Sequence, residues 1–437
     1  MKKKDFWRRE KYFSRRNLAV FFLLIFFSAI HTGWAQNYKF DFTGNRRAKD
    51  GYVKVTPDLL YGSGIGYGYD LVEYGNCFFS VALPDGNYRV TVTYGSKRKA
   101  SSTTFRAEAR RLLAENVQKK KGQFITCSYS LRVNSGVVSE DDSTPVEIRA
   151  NTPGLDWDDK LTLEFGGAKP AVAYVEIERA DEVPVLWLCG NSTVVDQDFE
   201  PWASWGQMVT RWFDDGIAVA NYAASGWSVA TLLRSARYKK LLHQLKEGDI
   251  VLVEYGHNDQ KQKGPGKGAY YHFATGLKQI ADEVRLRGGY IVFVTPTQRR
   301  SFDNEGRINE THGEYPDAMR WVAEREEIPV IELHDMTRTF FETLGVEGSK
   351  RSLVHYPAFT FPGQEQALED NTHFNDYGAY EVAKMVLSGM KQLEIPCATN
   401  ILSDYAPFDP AHPDNPEIFE KTWVLTPMFG IEKPAGN

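Results

Sequence analysis

The chain has 437 residues, of which 42% are hydrophobic and 25% are charged, and it carries a formal net charge of −5. This length exceeds that of one ordinary domain, so two to three domains are expected. The composition is that of a folded globular protein, and the excess of negative charge excludes a general affinity for nucleic acid.

The first 35 residues differ in composition from the rest of the chain. Eight basic residues precede the apolar run LAVFFLLIFFSAI, and small residues follow at Gly33 and Ala35. This order predicts a secretory signal peptide, residues 1–35, cleaved after Ala35. An uncleaved anchor is the alternative, but the apolar run is short for a membrane span. Because the segment carries eight basic and two acidic residues, the mature chain has a charge of −11. We expect an exported protein, periplasmic or secreted, with no stable membrane insertion after cleavage.

Residues 36–180 show the two-residue period of β-strands. Apolar and polar residues alternate in ITCSYSLRV and NYRVTVTYG, and CFFSVALPDGNYRV joins two such runs through the hairpin signal PDGN. No long helical pattern intervenes, so this region is predicted to be an antiparallel β-sandwich domain. It either binds carbohydrate, as a galactose-binding-like domain would, or shields the core.

Two features of this region leave alternatives open. The basic stretch SKRKASSTTFRAEARRLL, with QKKKGQ, is either a solvated loop or a contact for a polyanion such as a galacturonate-containing chain. The four cysteines lack the close spacing of a zinc site, so no metal is expected. Cys77 and Cys127 either form a disulfide or remain free buried thiols.

After RADEVP the pattern changes. The short apolar runs PVLWLC, GIAVANYA, DIVLVEYG, YIVFVTP and IPVIEL alternate with helical patterns such as 271–287, 316–326 and 377–392. This alternation predicts βαβ units and a parallel sheet, buried on both faces, over residues 183–395. Residues 396–437 are rich in Pro, Asp and Asn and are predicted to be an extended surface tail.

Reactive side chains follow the predicted strands in order. GNST follows the first strand, NYAASGWS the second and GHND the third, while EDNTHFNDYGA precedes the last helix. In parallel sheets, the groups that act on a ligand lie beyond the C-terminal ends of the strands. A serine esterase needs a nucleophile, a base, an orienting carboxylate and oxyanion donors, and these loops contain all four.

The spacing of these residues predicts a Ser-His-Asp triad. Asp370 and His373 lie three residues apart on a loop, so the carboxylate can fix the imidazole that takes the proton of Ser192. A capping carboxylate beside a surface histidine is the alternative. Gly190 ends the first strand because a side chain would crowd the turn. Residues 193–195 are predicted to lead into a helix whose dipole favours a developing oxyanion.

These four blocks, in this order, resemble the SGNH (GDSL-like) hydrolases. The segments STV, WGQ, ASGWS, GHND and the late D-x-x-H are most similar to those of rhamnogalacturonan acetylesterases, over about residues 183–395. The resemblance implies an α/β fold: a three-layer, flavodoxin-like domain with a parallel sheet, here preceded by the antiparallel β-sandwich. One departure is Asn191, where the family has Asp, and this change should alter local hydrogen bonding rather than abolish the chemistry.

The resemblance also implies the roles of the site residues. The catalytic triad would be Ser192, Asp370 and His373. The oxyanion hole would consist of the backbone N–H groups of Ser192 and Gly226 and the side chain of Asn258. No cofactor is implied.

Four further residues lie close to these blocks in sequence. Trp202, Trp205 and Trp227 either pack in the core or form a wall on which a sugar stacks. His257 has either a structural role or a substrate contact. The remaining histidines without a partner motif are predicted to lie on the surface or in loops: His272, His312, His334 and His355. GPGKG (264–268) lacks the spacing of a phosphate-binding loop.

The function predicted from these residues is that of a serine esterase that removes O-acetyl groups from acetylated pectin. Rhamnogalacturonan is the leading candidate for the substrate. Its partner would be an acetylated polysaccharide or oligosaccharide. Two alternatives stay open: a lipase or thioesterase of the same superfamily, and a carbohydrate-binding protein whose hydrolase half is inert.

Overall fold

The computed structural model describes residues 37–62, 64–149 and 152–435. The predicted signal peptide, residues 1–35, lies outside these described residues. Within them, no helix has both the length and the apolar character needed to cross a membrane.

The strands that precede residue 180 form a two-layered sandwich. Their bounds are β1 (Tyr38–Asp41), β2 (Val53–Lys54), β3 (Tyr67–Asp70), β4 (Phe78–Ala82), β5 (Gly86–Gly95), β6 (Ser101–Ala107), β7 (Arg111–Lys119), β8 (Phe124–Val133), β9 (Lys160–Lys169) and β10 (Val172–Arg179). One layer is an antiparallel sheet in the order β3-β4-β9-β6-β7, and the other contains β8-β5-β10-β1-β2. Alternate residues of the two layers, such as Val90 and Leu163, are fully buried in one core.

The second half of the chain alternates strands with helices. The strands are β11 (Val185–Cys189), β12 (Ala218–Asn221), β13 (Ile250–Glu254), β14 (Tyr290–Val294), β15 (Val330–Ile331), β16 (Leu353–Tyr356) and β17 (Leu368–Phe374). The helices are α1 (Trp205–Met208), α2 (Val229–Leu232), α3 (Ala236–Gln244), α4 (Ala274–Arg285), α5 (Tyr315–Glu326), α6 (Leu333–Gly348), α7 (Asp376–Gln392) and α8 (Pro416–Thr422). Single turns occur at Val72–Tyr74, Val209–Trp212, Asp259–Lys261, Ala269–Phe273, Ser349–Ser352 and Pro396–Asn400.

The predicted parallel sheet has the order β15-β14-β13-β11-β12. Side chains alternate between its two faces because successive residues of a strand point to opposite sides. Leu186 and Leu188 of β11 enter a core that contains residues of α7, whereas Trp187 and Cys189 enter a second core with residues of α4. Both faces are therefore covered by helices, which makes three layers.

The two halves of the chain share one sheet. Strand β12 pairs in parallel with β8, with Val219 opposite Leu131, and this pairing joins the strands into one sheet of ten. The predicted fold class, a parallel-sheet α/β region preceded by antiparallel β structure, is confirmed. The bounds 36–180 and 183–395 for separate domains stay predictions.

Several elements differ from the sequence-based expectations. Helix α6 was not predicted, although Leu333, Phe340 and Phe341 lie on one face and are fully buried. The tail after residue 396 contains α8 and buries Met428 completely, so it is not extended throughout. The described cysteines are all free thiols, which decides against a disulfide between Cys77 and Cys127.

Candidate active site

Ser192 lies on a tight turn immediately after β11. Gly190 allows this turn, because a Cβ atom there would lie 2.4 Å from Cγ2 of Val194 and 3.2 Å from the carbonyl oxygen of Glu254. The crowding predicted at Gly190 is therefore confirmed. Ser192 is 5% exposed, so only a small part of this residue contacts solvent.

The prediction that residues 193–195 lead into a helix is wrong. Asn191 closes a single turn: its Oδ1 accepts hydrogen bonds from the N–H and the hydroxyl of Thr193, each at 3.0 Å. The chain then continues without regular structure until α1, because contacts to distant residues hold it there. Arg111, for example, donates to Asp196 at 2.6 Å. No helix dipole reaches Ser192 from this segment.

The structure brings the three predicted triad residues together. Nε2 of His373 lies 2.8 Å from Oγ of Ser192, and Nδ1 of His373 lies 2.9 Å from Oδ2 of Asp370. Asp370 and His373 are on strand β17 rather than on a loop, and the strand ends just before α7. This arrangement places a base beside the hydroxyl and a carboxylate behind the base.

The environment of Asp370 keeps it ionised. Burial on its own would raise the pKa of this carboxyl, but hydrogen bonds from the ring and backbone N–H of His373 and from the N–H of Thr372 hold the pKa well below its ordinary value. Nζ of Lys433 also lies 3.1 Å from Oδ2 of Asp370. A lone lysine in the tail carries no sequence signal for this contact, which only the structure shows.

The proposed oxyanion donors lie on the two neighbouring loops. Gly226 has a φ of +81°, a conformation that favours glycine. Among the described residues, the backbone N–H groups of Ser192 and Gly226 form no hydrogen bond. Nδ2 of Asn258 donates one hydrogen bond to the carbonyl oxygen of Trp227 at 3.0 Å, while Nζ of Lys261 donates to Oδ1 of Asn258 at 3.1 Å. The amide therefore has a fixed orientation and a second N–H to donate.

A buried carboxyl group lies behind the Ser192 turn. Glu254, at the end of β13, forms a hydrogen bond with the hydroxyl of Thr193 at 2.8 Å and accepts one from the indole of Trp205 at 2.6 Å. Burial raises the pKa of Glu254 to about 7, although these two hydrogen bonds oppose the effect. The sequence signal for Glu254 is weak: it is a single acidic residue in an otherwise apolar strand.

Of the two alternatives for the tryptophans, core packing holds for Trp202 and Trp205. Trp205 is 1% exposed and Trp202 is 4% exposed, so neither indole face is accessible to a sugar. Trp202 instead packs edge-on against the ring of His373, with 5.8 Å between the centroids. Trp227 is half-buried and borders a cavity. Large aromatic side chains beside the catalytic loops mainly fill the core here.

His257 is buried and held by neighbouring side chains. It is 2% exposed, and its two ring nitrogens lie 3.2 Å from the hydroxyl of Thr297 and 3.1 Å from Nε2 of His312. Burial lowers the pKa of His257 well below its ordinary value, and the charge of His312 lowers it further. His312 lies in a loop, as predicted, but is 0% exposed. The prediction of a surface or loop position is wrong for His334, which is 1% exposed and lies within α6.

The described residues include one group that could hold a metal ion. The ligand atoms of Glu310, His312 and His334 all lie within 4.8 Å of one another. Two guanidinium groups already occupy its surroundings, with Arg338 at 3.2 Å from Glu310 and Arg299 at 3.3 Å from His312. Their positive charge opposes a bound cation, and the absence of a metal stays a prediction.

Arginines of the basic stretch in the first half of the chain form buried ion pairs with residues near the catalytic loops. Its strands bury Arg106, Arg110 and Arg111, each at most 2% exposed, so these three side chains are neither solvated nor a polyanion surface. Arg110 pairs with Glu200 at 2.6 Å and with Asp376 at 3.1 Å, the latter at the start of α7. Sequence analysis could not detect these pairs, because the partners lie far apart in the chain.

Comparison with known proteins gives concordant matches. Residues 188–379 match the model of the GDSL-like lipase/acylhydrolase family. The chain is 40% identical over 220 residues to the rhamnogalacturonan acetylesterase RhgT of Bacillus subtilis, covering 50% of this chain and 94% of that protein. It is 25% identical over 390 residues to the uncharacterized esterase YxiM of Bacillus subtilis, covering 81% of this chain and 91% of YxiM. The crystal structure of YxiM covers 82% of this chain and 99% of its own, with 20% identity and a TM-score of 0.45.

Proposed function

The chain belongs to the GDSL-like lipase/acylhydrolase family and is a carboxylic ester hydrolase, and from this premise we propose that it removes O-acetyl groups from acetylated rhamnogalacturonan. The similarity to a rhamnogalacturonan acetylesterase over nearly the full length of that protein supports a carbohydrate ester as the substrate. We also propose that the protein is exported, on the basis of its basic and apolar N-terminal segment.

The observation that carries the proposed mechanism is the hydrogen-bonded series Ser192–His373–Asp370. Nε2 of His373 lies 2.8 Å from Oγ of Ser192, which is close enough for a general base to take the hydroxyl proton. Nδ1 of His373 lies 2.9 Å from Oδ2 of Asp370, which is also hydrogen-bond distance. Oγ of Ser192 attacks the acetyl carbonyl while Nε2 of His373 takes the hydroxyl proton. The ionised Asp370 accepts from Nδ1 of His373, fixes the tautomer and stabilises the imidazolium.

The tetrahedral intermediate places negative charge on the former carbonyl oxygen. The N–H groups of Ser192 and Gly226 and the second N–H of the Asn258 amide are the proposed donors to this oxyanion. His373 then gives its proton to the leaving sugar hydroxyl, and the acetyl group remains on Ser192. Water, deprotonated by His373, releases acetate and restores the serine.

The test is acetate release from acetylated rhamnogalacturonan by the purified protein and by its Ser192→Ala variant. Loss of the nucleophile should lower kcat by on the order of 10⁴-fold or more, with an unchanged circular dichroism spectrum. Acetylated xylan and p-nitrophenyl esters of acetate and octanoate serve as comparison substrates. Preference for the octanoate ester would favour a lipase, and no turnover of any ester would favour an inert binding protein. Either outcome would overturn the proposal.

A further inference from the structure

A cavity of about 190 Å³ lies beside the loop that carries Gly226. Its volume equals that of roughly six water molecules at about 30 Å³ each, which is room for one sugar ring rather than a chain. Asp156 and Trp157 from the first half of the chain line one part, and Asp198 and Trp227 from the second half line another. Asp156 precedes residues 188–379, so the cavity extends beyond the segment that matches the family.

Two carboxylates of this cavity lack hydrogen-bond donors. Asp198 is only 5% exposed, and its nearest cation is Nη1 of Arg149 at 3.7 Å, which is longer than a hydrogen bond. Among the described residues, neither Asp198 nor Asp156 has a hydrogen bond to its side chain. The neighbouring Asp196 differs, because Arg111 donates to it at 2.6 Å and Asn221 at 2.7 Å.

Asp198 is buried, whereas Asp156 is partly exposed. A buried carboxylate such as Asp198 normally has donors, because an unpaired polar group away from water is costly. Burial raises the pKa of Asp156 to about 8, and the nearby charges of Asp198 and Asp196 add to the effect. A ligand that brought hydroxyl groups into the cavity would supply the missing donors. Adjacent hydroxyls of a sugar can do this for both carboxylates at once.

The cavity is coupled to the catalytic loops through short contacts. Arg149 donates to Oγ of Ser225 at 2.9 Å and to Oε1 of Gln197 at 3.2 Å. Gln197 in turn donates to the carbonyl oxygen of Ser192 at 3.0 Å. Trp227, which borders the cavity, accepts the hydrogen bond from Asn258 described above.

We propose, resting on the function above, that this cavity is a subsite for a neutral sugar residue adjacent to the acetylated one, with Asp156 and Asp198 accepting hydrogen bonds from its hydroxyls. Trp227 supplies an apolar side contact for the ring. A neutral ring fits better than a uronic acid, because acidic side chains outnumber basic ones in the lining: Glu147, Asp156, Asp196 and Asp198 against Arg149 and Arg237. The first half of the chain thereby takes part in substrate selection.

The test separates binding at this subsite from ester hydrolysis at the triad. Asp156→Asn and Asp198→Asn keep the side-chain size and replace one acceptor oxygen by an NH₂ group. Asp159→Asn, at an exposed position outside the cavity, is the matched control. On acetylated rhamnogalacturonan oligosaccharides, we expect Asp198→Asn to raise KM by about 10-fold, the scale of hydrogen bonds to a charged group. Asp156→Asn should raise KM by a smaller factor, because a pKa of about 8 leaves Asp156 mostly uncharged at neutral pH. The kcat/KM for p-nitrophenyl acetate should stay within about 2-fold of the parent.

A binding measurement distinguishes failure of this proposal from failure of the proposed function. Calorimetry measures binding without turnover if the nucleophile is absent. The two proteins to compare are the Ser192→Ala variant and the double variant that also carries Asp198→Asn. We expect the second substitution to weaken binding of rhamnogalacturonan oligosaccharides and to leave binding of oligosaccharides made only of galacturonate unchanged. The subsite proposal would be overturned if Asp198→Asn weakened the binding of both ligands equally, or of neither. It would also be overturned if the weakening disappeared when EDTA removed metal ions. Absence of ester hydrolysis by the parent protein would overturn only the proposed function.

Discussion

Oε1 of Glu254 lies 2.8 Å from the hydroxyl oxygen of Thr193, directly behind the turn that carries Ser192. The same hydroxyl lies 3.0 Å from Oδ1 of Asn191. Because one hydroxyl has one proton, it can donate to both oxygens only in alternation. A protonated Glu254 removes the conflict: its O–H donates to Thr193, and Thr193 donates to Asn191. The pKa of about 7 places this proton in the neutral range.

Glu254→Gln should remove one source of instability at alkaline pH. The folded state keeps the proton of Glu254 up to about pH 7, whereas the unfolded chain releases it near the ordinary value of 4.5. The free energy of unfolding therefore falls as pH rises through this window, by about 3 kcal/mol in total. Glutamine stays neutral, donates to Thr193 and accepts from Trp205. Urea unfolding at pH 5 and pH 8.5 should show a smaller pH dependence for the variant, with exposed Glu305→Gln as control. An identical pH dependence would contradict the assignment.

Asp370→Asn should lower kcat by on the order of 10⁴-fold, the loss seen when a triad histidine has the wrong tautomer. The two backbone N–H groups of Thr372 and His373 hold Oδ1, at 2.7 Å and 2.9 Å. The new amide nitrogen must then face Nδ1 of His373 and donate to it. The imidazole proton moves to Nε2, which can no longer accept the proton of Ser192. The measurement is kcat for p-nitrophenyl acetate, with Glu369→Gln as the neighbouring control. A loss below 10-fold would exclude this orientation.

Asn258→Ala should lower kcat by about 10²–10³-fold, the effect of removing one oxyanion donor. Lys261 acts as a positioning residue, because its ammonium group holds Oδ1 of Asn258 and so directs the amide nitrogen. Lys261→Met should therefore lower kcat by about 10-fold with little change in KM, and Lys261→Arg should restore part of the rate. The double variant should be no slower than Asn258→Ala alone, because both act through one amide. Additive losses would show that Lys261 has a separate role.

Arg110→Met should destabilise the fold by about 3–5 kcal/mol, because Glu200 and Asp376 would remain as buried charges without their partner. Both carboxylates lie within 3.1 Å of the guanidinium group. The free energy of unfolding in urea is the measurement, and exposed Arg98→Met is the control, with an expected change of at most about 0.5 kcal/mol. Recovery of only unfolded protein would agree with the prediction. Equal stability of the two variants would contradict it.

The position of the site could be predicted from the sequence. Apolar runs with a following Gly190, Gly226 or Asn258 indicate strands of a parallel sheet, and the C-terminal ends of such strands meet at one edge. The three-residue spacing of Asp370 and His373 identifies the remaining two members of the catalytic triad. These features are local: each depends on a few neighbouring residues and on the geometry common to all parallel sheets.

Only the tertiary structure decided which side chains are buried and what they pair with. Arg110 lies in a basic stretch typical of a surface, yet it is buried because Glu200 and Asp376 reach it from distant parts of the chain. The continuation of the sheet from β12 to β8 depends likewise on a long-range pairing. Asp156 and Asp198 meet at one cavity only after both halves have folded. Local periodicity specifies a strand or a helix, but the burial of a charge depends on partners that no local pattern identifies.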